Sequence, residues 1–317
     1  PPTSGFFHFS SPRKMARQER SSMDQAAGLR EKKNGYIAWS RTGAGVAVPS
    51  EPLVRVLSVS SGKGGVGKST VVVNLAMAFD QLGKKVLIMD ADLGLANIDV
   101  LLGLTPKQNI GHVLEGKKRI EEVIVNGPGR VRIMPASSGI QELTRLTDEQ
   151  KLLMIEMLDE LESEIDILLV DTGAGISDTV LYFNLAAQEK VIVVTSEPTS
   201  LTDAYALIKV LYTRHGERHF RILVNSVENE AAGKGVFAKI SKVADHFLDG
   251  ISLDYLGTIP HDPNVPRAVI QQRPLIHAFP GSPAARAFLA VARKIHKSPG
   301  HRNNGNVQFF WKRLLRI

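Results

Sequence analysis

The 317-residue sequence predicts an α/β domain: a mainly parallel β-sheet covered by helices on both faces. Three observations predict it. Short runs of β-type apolar residues alternate with longer helical patterns from about residue 53 to residue 297. Those runs are apolar on both faces, as strands buried between two helical layers are. A glycine-rich turn also joins the first run directly to the first helical pattern, the strand–loop–helix order of a parallel unit.

In chain order, the expected strands are VRVLSVS (54–60), KVLIMD (85–90), RVRIMPA (130–136), IDILLVD (165–171), KVIVVTS (190–196), FRILVNS (220–226) and LDYLGTIP (253–260). Helices are expected near 69–82, 147–163, 178–187, 200–213, 234–247 and 283–297. Outside this domain (53–297) the chain changes character. Residues 1–22 carry no period and include an internal Met15, so a disordered or vector-derived leader is expected there. Residues 23–30 are expected to form a short helix. Residues 31–52 mix Gly, Pro and small residues and are expected to be a flexible linker. Residues 298–306 form a second polar linker to a terminal segment, 307–317.

With 43% hydrophobic and 22% charged residues, the chain can bury a sizeable core. No run approaches the roughly 18–20 apolar residues of a membrane span, and residues 1–22 lack the apolar stretch of a secretion signal, so a cytoplasmic location is expected. Absence of cysteine excludes disulfides, thiolate metal sites and cysteine-held iron–sulfur clusters. The net charge of +7 sits largely in the two ends of the chain and does not by itself indicate a nucleic-acid face.

The chemistry is concentrated in SGKGGVGKST. Gly62 to Ser69 satisfies G-x-x-x-x-G-K-[ST] between a strand and a helix, the context that makes the pattern a phosphate loop. Gly62, Gly64, Gly65, Val66 and Gly67 would let successive backbone N–H groups face phosphate oxygens, with the positive helix end behind them. Lys68 would reach the β- and γ-phosphates, Ser69 would offer an oxygen to Mg²⁺, and Thr70 would bond the α-phosphate. Lys63 is surplus to that cradle. It is either an exposed loop lysine or a cation that crosses a two-fold axis to a second subunit's phosphates, as arginine fingers act in trans.

KGGVGKST resembles the deviant phosphate loop of the MinD/ParA ATPases, P-loop NTPases in which the early lysine is the signature residue and ATP builds a sandwich dimer. The resemblance covers roughly residues 53–297. It implies catalytic roles for Lys63, Asp92 and Asp171, with ATP and Mg²⁺ as cofactors. Asp90 and Asp92, at the end of KVLIMD, fall in switch I: Asp92 would position the attacking water and Asp90 would lie near Mg²⁺, with a cap or turn role as the other reading of each. Asp171 ends IDILLVD at the Walker-B position and would hold Mg²⁺, with Gly173 and Gly175 freeing switch II. No [NT]-K-x-D guanine element is present, and the resemblance places Asn225 with the IPHDPNV loop, including Pro260 and Asp262, around adenine.

DQAAGLR (24–30) resembles the element that opens the FlhG (FleN) group, MinD-like flagellar number regulators, and DADLGLANIDVLLGL and DTGAGIS also resemble that group. The resemblance implies a helix that docks on the SRP-type flagellar GTPase FlhF and stimulates it, with Gln25 acting in catalysis and Asp24, Ala26, Leu29 and Arg30 in docking. It also implies partners among the flagellar switch (C-ring) proteins or a flagellar transcription regulator. An incidental polar helix start is the competing reading. At about 100° per residue, VQFFWKRLLRI gathers Phe310, Trp311, Leu314, Leu315 and Ile317 on one broad face, with Lys312, Arg313 and Arg316 opposite. Such a segment either inserts into an anionic membrane surface or docks on the protein's own core. A ParA-like DNA-partitioning ATPase, a MinD-like cell-division positioning ATPase and an ATP-dependent ligase are the rival functions. An iron–sulfur carrier of this fold would need cysteines.

Overall fold

The computed structural model describes residues 54–92, 97–109, 112–113, 115–135, 161 and 164–298, all within the unit Glu51–Ile317. Eight strands form one sheet in the order β3-β4-β2-β5-β1-β6-β7-β8. They are β1 (Arg55–Ser61), β2 (Val86–Ala91), β3 (Val125–Asn126), β4 (Val131–Met134), β5 (Ile167–Ala174), β6 (Glu189–Val194), β7 (His219–Val227) and β8 (Ser252–Pro260). Every pairing is parallel except that of the two-residue edge strand β3 with β4. The expected parallel sheet between helices is therefore the observed one. Each of the seven expected strands is present, within a few residues of its expected bounds.

The described helices are α1 (Lys68–Gln81), α2 (Ile98–Leu102), α3 (Ile120–Val123), α4 (Asp178–Ala186), α5 (Pro198–His215), α6 (Glu230–Phe247), α7 (Asn264–Ile270), α8 (Leu275–Ala278) and α9 (Pro283–Lys297). The expected helix over 147–163 lies outside the described residues apart from Leu161, which is helical and buried. Helix ends follow local chemistry. Ser177, Asn229 and Ser282 cap α4, α6 and α9 by accepting from Val180, Ala232 and Ala285 N–H, and Gly216 closes α5 in the left-handed region.

α1 is buried along its whole middle, Val71 through Phe79. It lies between the sheet and α9, which explains why its sequence is apolar all round rather than striped. α1, α7, α8 and α9 share one core with one face of the sheet. α5 and α6 share another with β6 and β7 on the opposite face, and α4 contributes to both cores of that face. Because β1, β2, β5, β6, β7 and β8 run the same way, the loops after them gather at one edge.

Candidate functional site

β1 delivers residues 62–67 to that edge and α1 starts at once at Lys68. Gly65 (φ 79°) and Gly67 (φ 84°) take left-handed backbone, which only glycine adopts freely, and no side chain caps α1. Its first N–H groups are thus left to an incoming anion. Gly62 is required for a different reason. A Cβ there would fall 2.1 Å from the carbonyl carbon of Asp203, so loop and α5 backbones touch.

Lys68 is buried, and its Nζ lies 2.5 Å from Oδ1 of the buried Asp171, the fifth residue of β5, which runs three residues past the expected strand end at Asp171. Burial pushes the Asp171 carboxyl up, while the Lys68 ammonium and the Ser69 hydroxyl pull it down. Its other oxygen, Oδ2, is buried without a hydrogen-bond partner. That orphan acceptor beside the Ser69 hydroxyl fits a hard divalent cation such as Mg²⁺. Among the described residues no cluster of three or more His, Asp or Glu side chains forms a metal cage, so phosphate and water oxygens would complete the shell.

Asp90 sits opposite Asp171 in the β2–β5 register. Its carboxyl is pushed up to about 7, first by burial and then by the Asp171 charge. Its oxygens accept from the N–H groups of Asp92 (3.1 Å) and Ile98 (3.4 Å), so the cap-and-turn role describes the Asp90 geometry: it closes the segment between β2 and α2. Asp92 is half-buried next to switch II, where a Cβ on Gly173 would lie 3.6 Å from its Oδ1. Asp92 also contributes to raising Asp171.

Lys63 does not turn toward this centre. Its Nζ meets Glu197 Oε2 at 2.5 Å and Thr199 Oγ1 at 3.1 Å, at the start of α5. Glu197 and Thr199 escaped the sequence reading, because contact across 134 residues leaves no local signal.

A cavity of about 300 Å³ opens beside the loop, lined by Gly67, Thr70, Asn225, Pro260 and Asp262, with Ser226, His261 and Phe288 among the rest. The three residues expected around a base thus line one cavity with the loop. Asn225 does more: its Nδ2 donates to Val66 O at 2.8 Å, and a Cβ on Gly67 would strike that nitrogen. Asp262 is buried and accepts from Asn264 and Ala284 N–H. Burial alone would raise its carboxyl, but these donors, with Ser282, hold it below its usual range. Its role is to join α7 to α9 beneath the cavity. Ser226 (φ 56°), which the sequence reading did not single out, lies 3.3 Å from His261 of the expected IPHDPNV loop.

Under the site, Ser60 bonds Thr172 (2.8 Å) and Asn184 (3.1 Å), and Ser58 bonds Asn184 (3.0 Å). This buried network ties β1 and β5 to α4. Its sequence signal is a pair of alternate serines in an otherwise apolar strand. Asp24, Gln25, Ala26, Leu29 and Arg30, and Phe310, Trp311, Leu314, Leu315 and Ile317, lie outside the described residues. No helix among the described residues is long and apolar enough to cross a membrane.

Comparison with known proteins agrees with this geometry. Residues 53–296 match the ParA family description "NUBPL iron-transfer P-loop NTPase". The chain is 49% identical over 263 residues to the antiactivator FleN of Pseudomonas aeruginosa, covering 83% of this chain and 94% of that one. It is 32% identical over 266 residues to the flagellum site-determining protein YlxH of Helicobacter pylori, covering 83% and 90%. The solved structure of the septum site-determining protein MinD with Mg-ADP from Pyrococcus horikoshii superposes with a TM-score of 0.61 at 25% identity, covering 77% of this chain and 97% of that one. The chain belongs to the MinD/ParA-type P-loop ATPases, in the FleN/FlhG group.

Proposed function

We propose that the chain is a Mg·ATP-dependent dimerising switch that hydrolyses ATP to ADP and phosphate and, through its two ends, regulates flagellar number or placement. The observation that carries this is the position of Lys63. The inner cation of the site is supplied by Lys68, so the loop holds a second cation at its rim, 37% exposed and paired with the exposed Glu197 of its own chain. Similarity to an antiactivator FleN and a flagellum site-determining protein supports the flagellar assignment.

Phosphate at the loop can take Lys68 from Asp171, which frees that carboxylate, with Ser69, to hold Mg²⁺. Bound there, Mg²⁺ would neutralise charge on the β- and γ-phosphate oxygens. Asp92 would orient the attacking water, and Lys63 of a partner subunit would complete the charge clamp. Slow turnover follows, because a carboxylate that only positions water is a weak base and the clamp needs two chains. The cavity at Asn225, Pro260 and Asp262 would take adenine. Since the Asn225 amide nitrogen is committed to the loop, its carbonyl oxygen is the atom able to accept from an exocyclic amine.

In this reading residues 23–30 stimulate the GTPase FlhF, and residues 307–317 bind anionic lipid at the inner face of the cytoplasmic membrane. ATP-controlled dimerisation pairs two weak anchors into a stronger one. Switch-complex proteins or a flagellar transcription regulator would read the dimer.

The test uses the full chain and its Lys63→Ala and Asp92→Ala variants. Lys63→Ala should bind ATP as a monomer with little change but lose ATP-dependent dimers and turnover. Asp92→Ala should accumulate the ATP dimer on size exclusion. Wild-type dimerisation and turnover by Lys63→Ala would remove the trans role. Deletion of 307–317 should abolish ATP-dependent sedimentation with anionic vesicles, whereas retention on DNA with ATP would favour a partitioning ATPase.

A further inference from the structure

The edge of the sheet away from the phosphate loop carries a charge cluster for which the ATPase mechanism has no use. Glu189, the first residue of β6, has a side chain only 1% exposed. Arg55, the first residue of β1, reaches its Oε1 through Nε (2.9 Å) and Nη2 (2.6 Å). Arg221 of β7 places Nη1 2.9 Å from its Oε2. These three adjacent strands thus share one carboxylate at their amino ends.

Both guanidinium groups continue to the end of α9. Arg55 Nη1 donates to Ile295 O at 2.5 Å and Ser298 O at 3.3 Å, and Arg221 Nη2 donates to Ser298 Oγ at 3.0 Å. Helix C-termini present unpaired carbonyls and negative dipole ends, so two cations there are well matched. A buried ion cluster is nevertheless a poor source of stability, since apolar side chains of similar volume would serve as well or better. What it adds is direction: α9 ends against the first residue of β1.

We propose that Arg55, Glu189 and Arg221 are positioning residues that hold together the point where the chain enters the ATPase domain and the point where it leaves. Whatever precedes Val54 and follows Ser298 is then presented from one pole. Seven residues of β1 separate that pole from the loop, about 20 Å of strand. Resting on the reading that 307–317 meets membrane, the consequence is orientation: lipid attachment through that segment turns this pole of the ATPase domain toward the lipid surface.

The cysteine-free chain allows single cysteines to be placed at will. Spin labels at Lys85→Cys, at the same amino edge of the sheet as Arg55, and at Lys297→Cys should give a single narrow distance distribution in the parent. Arg55→Met/Glu189→Met/Arg221→Met should broaden it several-fold while fluorescent-ATP affinity stays within twofold. Arg55→Lys, which cannot span carboxylate and carbonyls together, should broaden it too, and it replaces the triple variant if that does not fold. A parent distribution already broad, or variants as narrow as the parent, would overturn the proposal. On ATP-dependent binding to phosphatidylglycerol vesicles carrying a lipid-borne acceptor, energy transfer from a dye at Lys85→Cys should exceed that from one at Thr105→Cys, and Arg55→Lys should erase the difference. Equal transfer in the bound parent would overturn the proposal. If the parent binds no vesicles, the membrane reading falls and the spin-label distances alone decide the clamp.

Discussion

Lys63 Nζ lies 2.5 Å from Glu197 Oε2, so the surplus cation of the phosphate loop is held by its own chain at the first turn of α5. To reach a second subunit it must leave that carboxylate. The two side chains are 37% and 60% exposed, and such pairs contribute only about 0–1 kcal/mol. The bond therefore restrains Lys63 without locking it. Glu197→Gln should lower the protein concentration needed for ATP-dependent dimers by up to about fivefold, measured by sedimentation. An unchanged midpoint would mean that the contact does not compete with dimerisation.

Inside the site the pairing has the opposite weight. Lys68 and Asp171 are buried together, so removing one strands the other. Lys68→Ala should destabilise the nucleotide-free protein to urea by about 3–5 kcal/mol, and Lys68→Met/Asp171→Leu should recover most of it while binding no ATP. Equal loss in the single and double variants would show that volume, not charge, dominates.

Asp90 makes the stability depend on pH. Its folded carboxyl titrates near 7, above the usual carboxylate range, so the folded state holds a proton that the unfolded state releases near 4. Its stabilising contribution is full below about pH 4 and is lost as pH rises through 7. Asp90→Asn keeps an acceptor for Ile98 and removes the repulsion with Asp171. In nucleotide-free protein its melting temperature should match the parent near pH 4 and exceed it increasingly from pH 5 to 8, by the equivalent of about 1–3 kcal/mol. A pH-independent difference would refute the titration.

Gly62→Ala tests the contact between loop and α5. A methyl group 2.1 Å from the Asp203 carbonyl carbon has no room, so the loop must lift. Fluorescent-ATP affinity should fall at least tenfold, whereas Gly64→Ala, whose Cβ would meet nothing within 4 Å, should change it by less than threefold. Similar losses in both would point to backbone freedom instead.

Which parts were legible follows from scale. The strands were readable because a strand buried on both faces is a continuous apolar run, as VIVV in β6 is. α2, α3, α7 and α8 were missed because four to seven residues cover too few turns to reveal a period. The loop residues 62–70 were legible because phosphate binding imposes a local pattern, and Asp171 because it is the first acid after the apolar run of β5. Partners were not. Glu197 for Lys63, Val66 for Asn225 and Asp171 for Lys68 depend on which strands lie side by side, an outcome of the fold that no short window contains.

The hydrogen bond from Asn225 to Val66 joins the wall of the cavity proposed for adenine to the loop proposed for phosphate. The two halves of a nucleotide are therefore not independent ligands. Adenosine seated against Asn225 should stiffen the loop and tighten its hold on free tripolyphosphate, and tripolyphosphate must then tighten adenosine by the same factor. In Asn225→Ala each fragment would bind as though the other were absent.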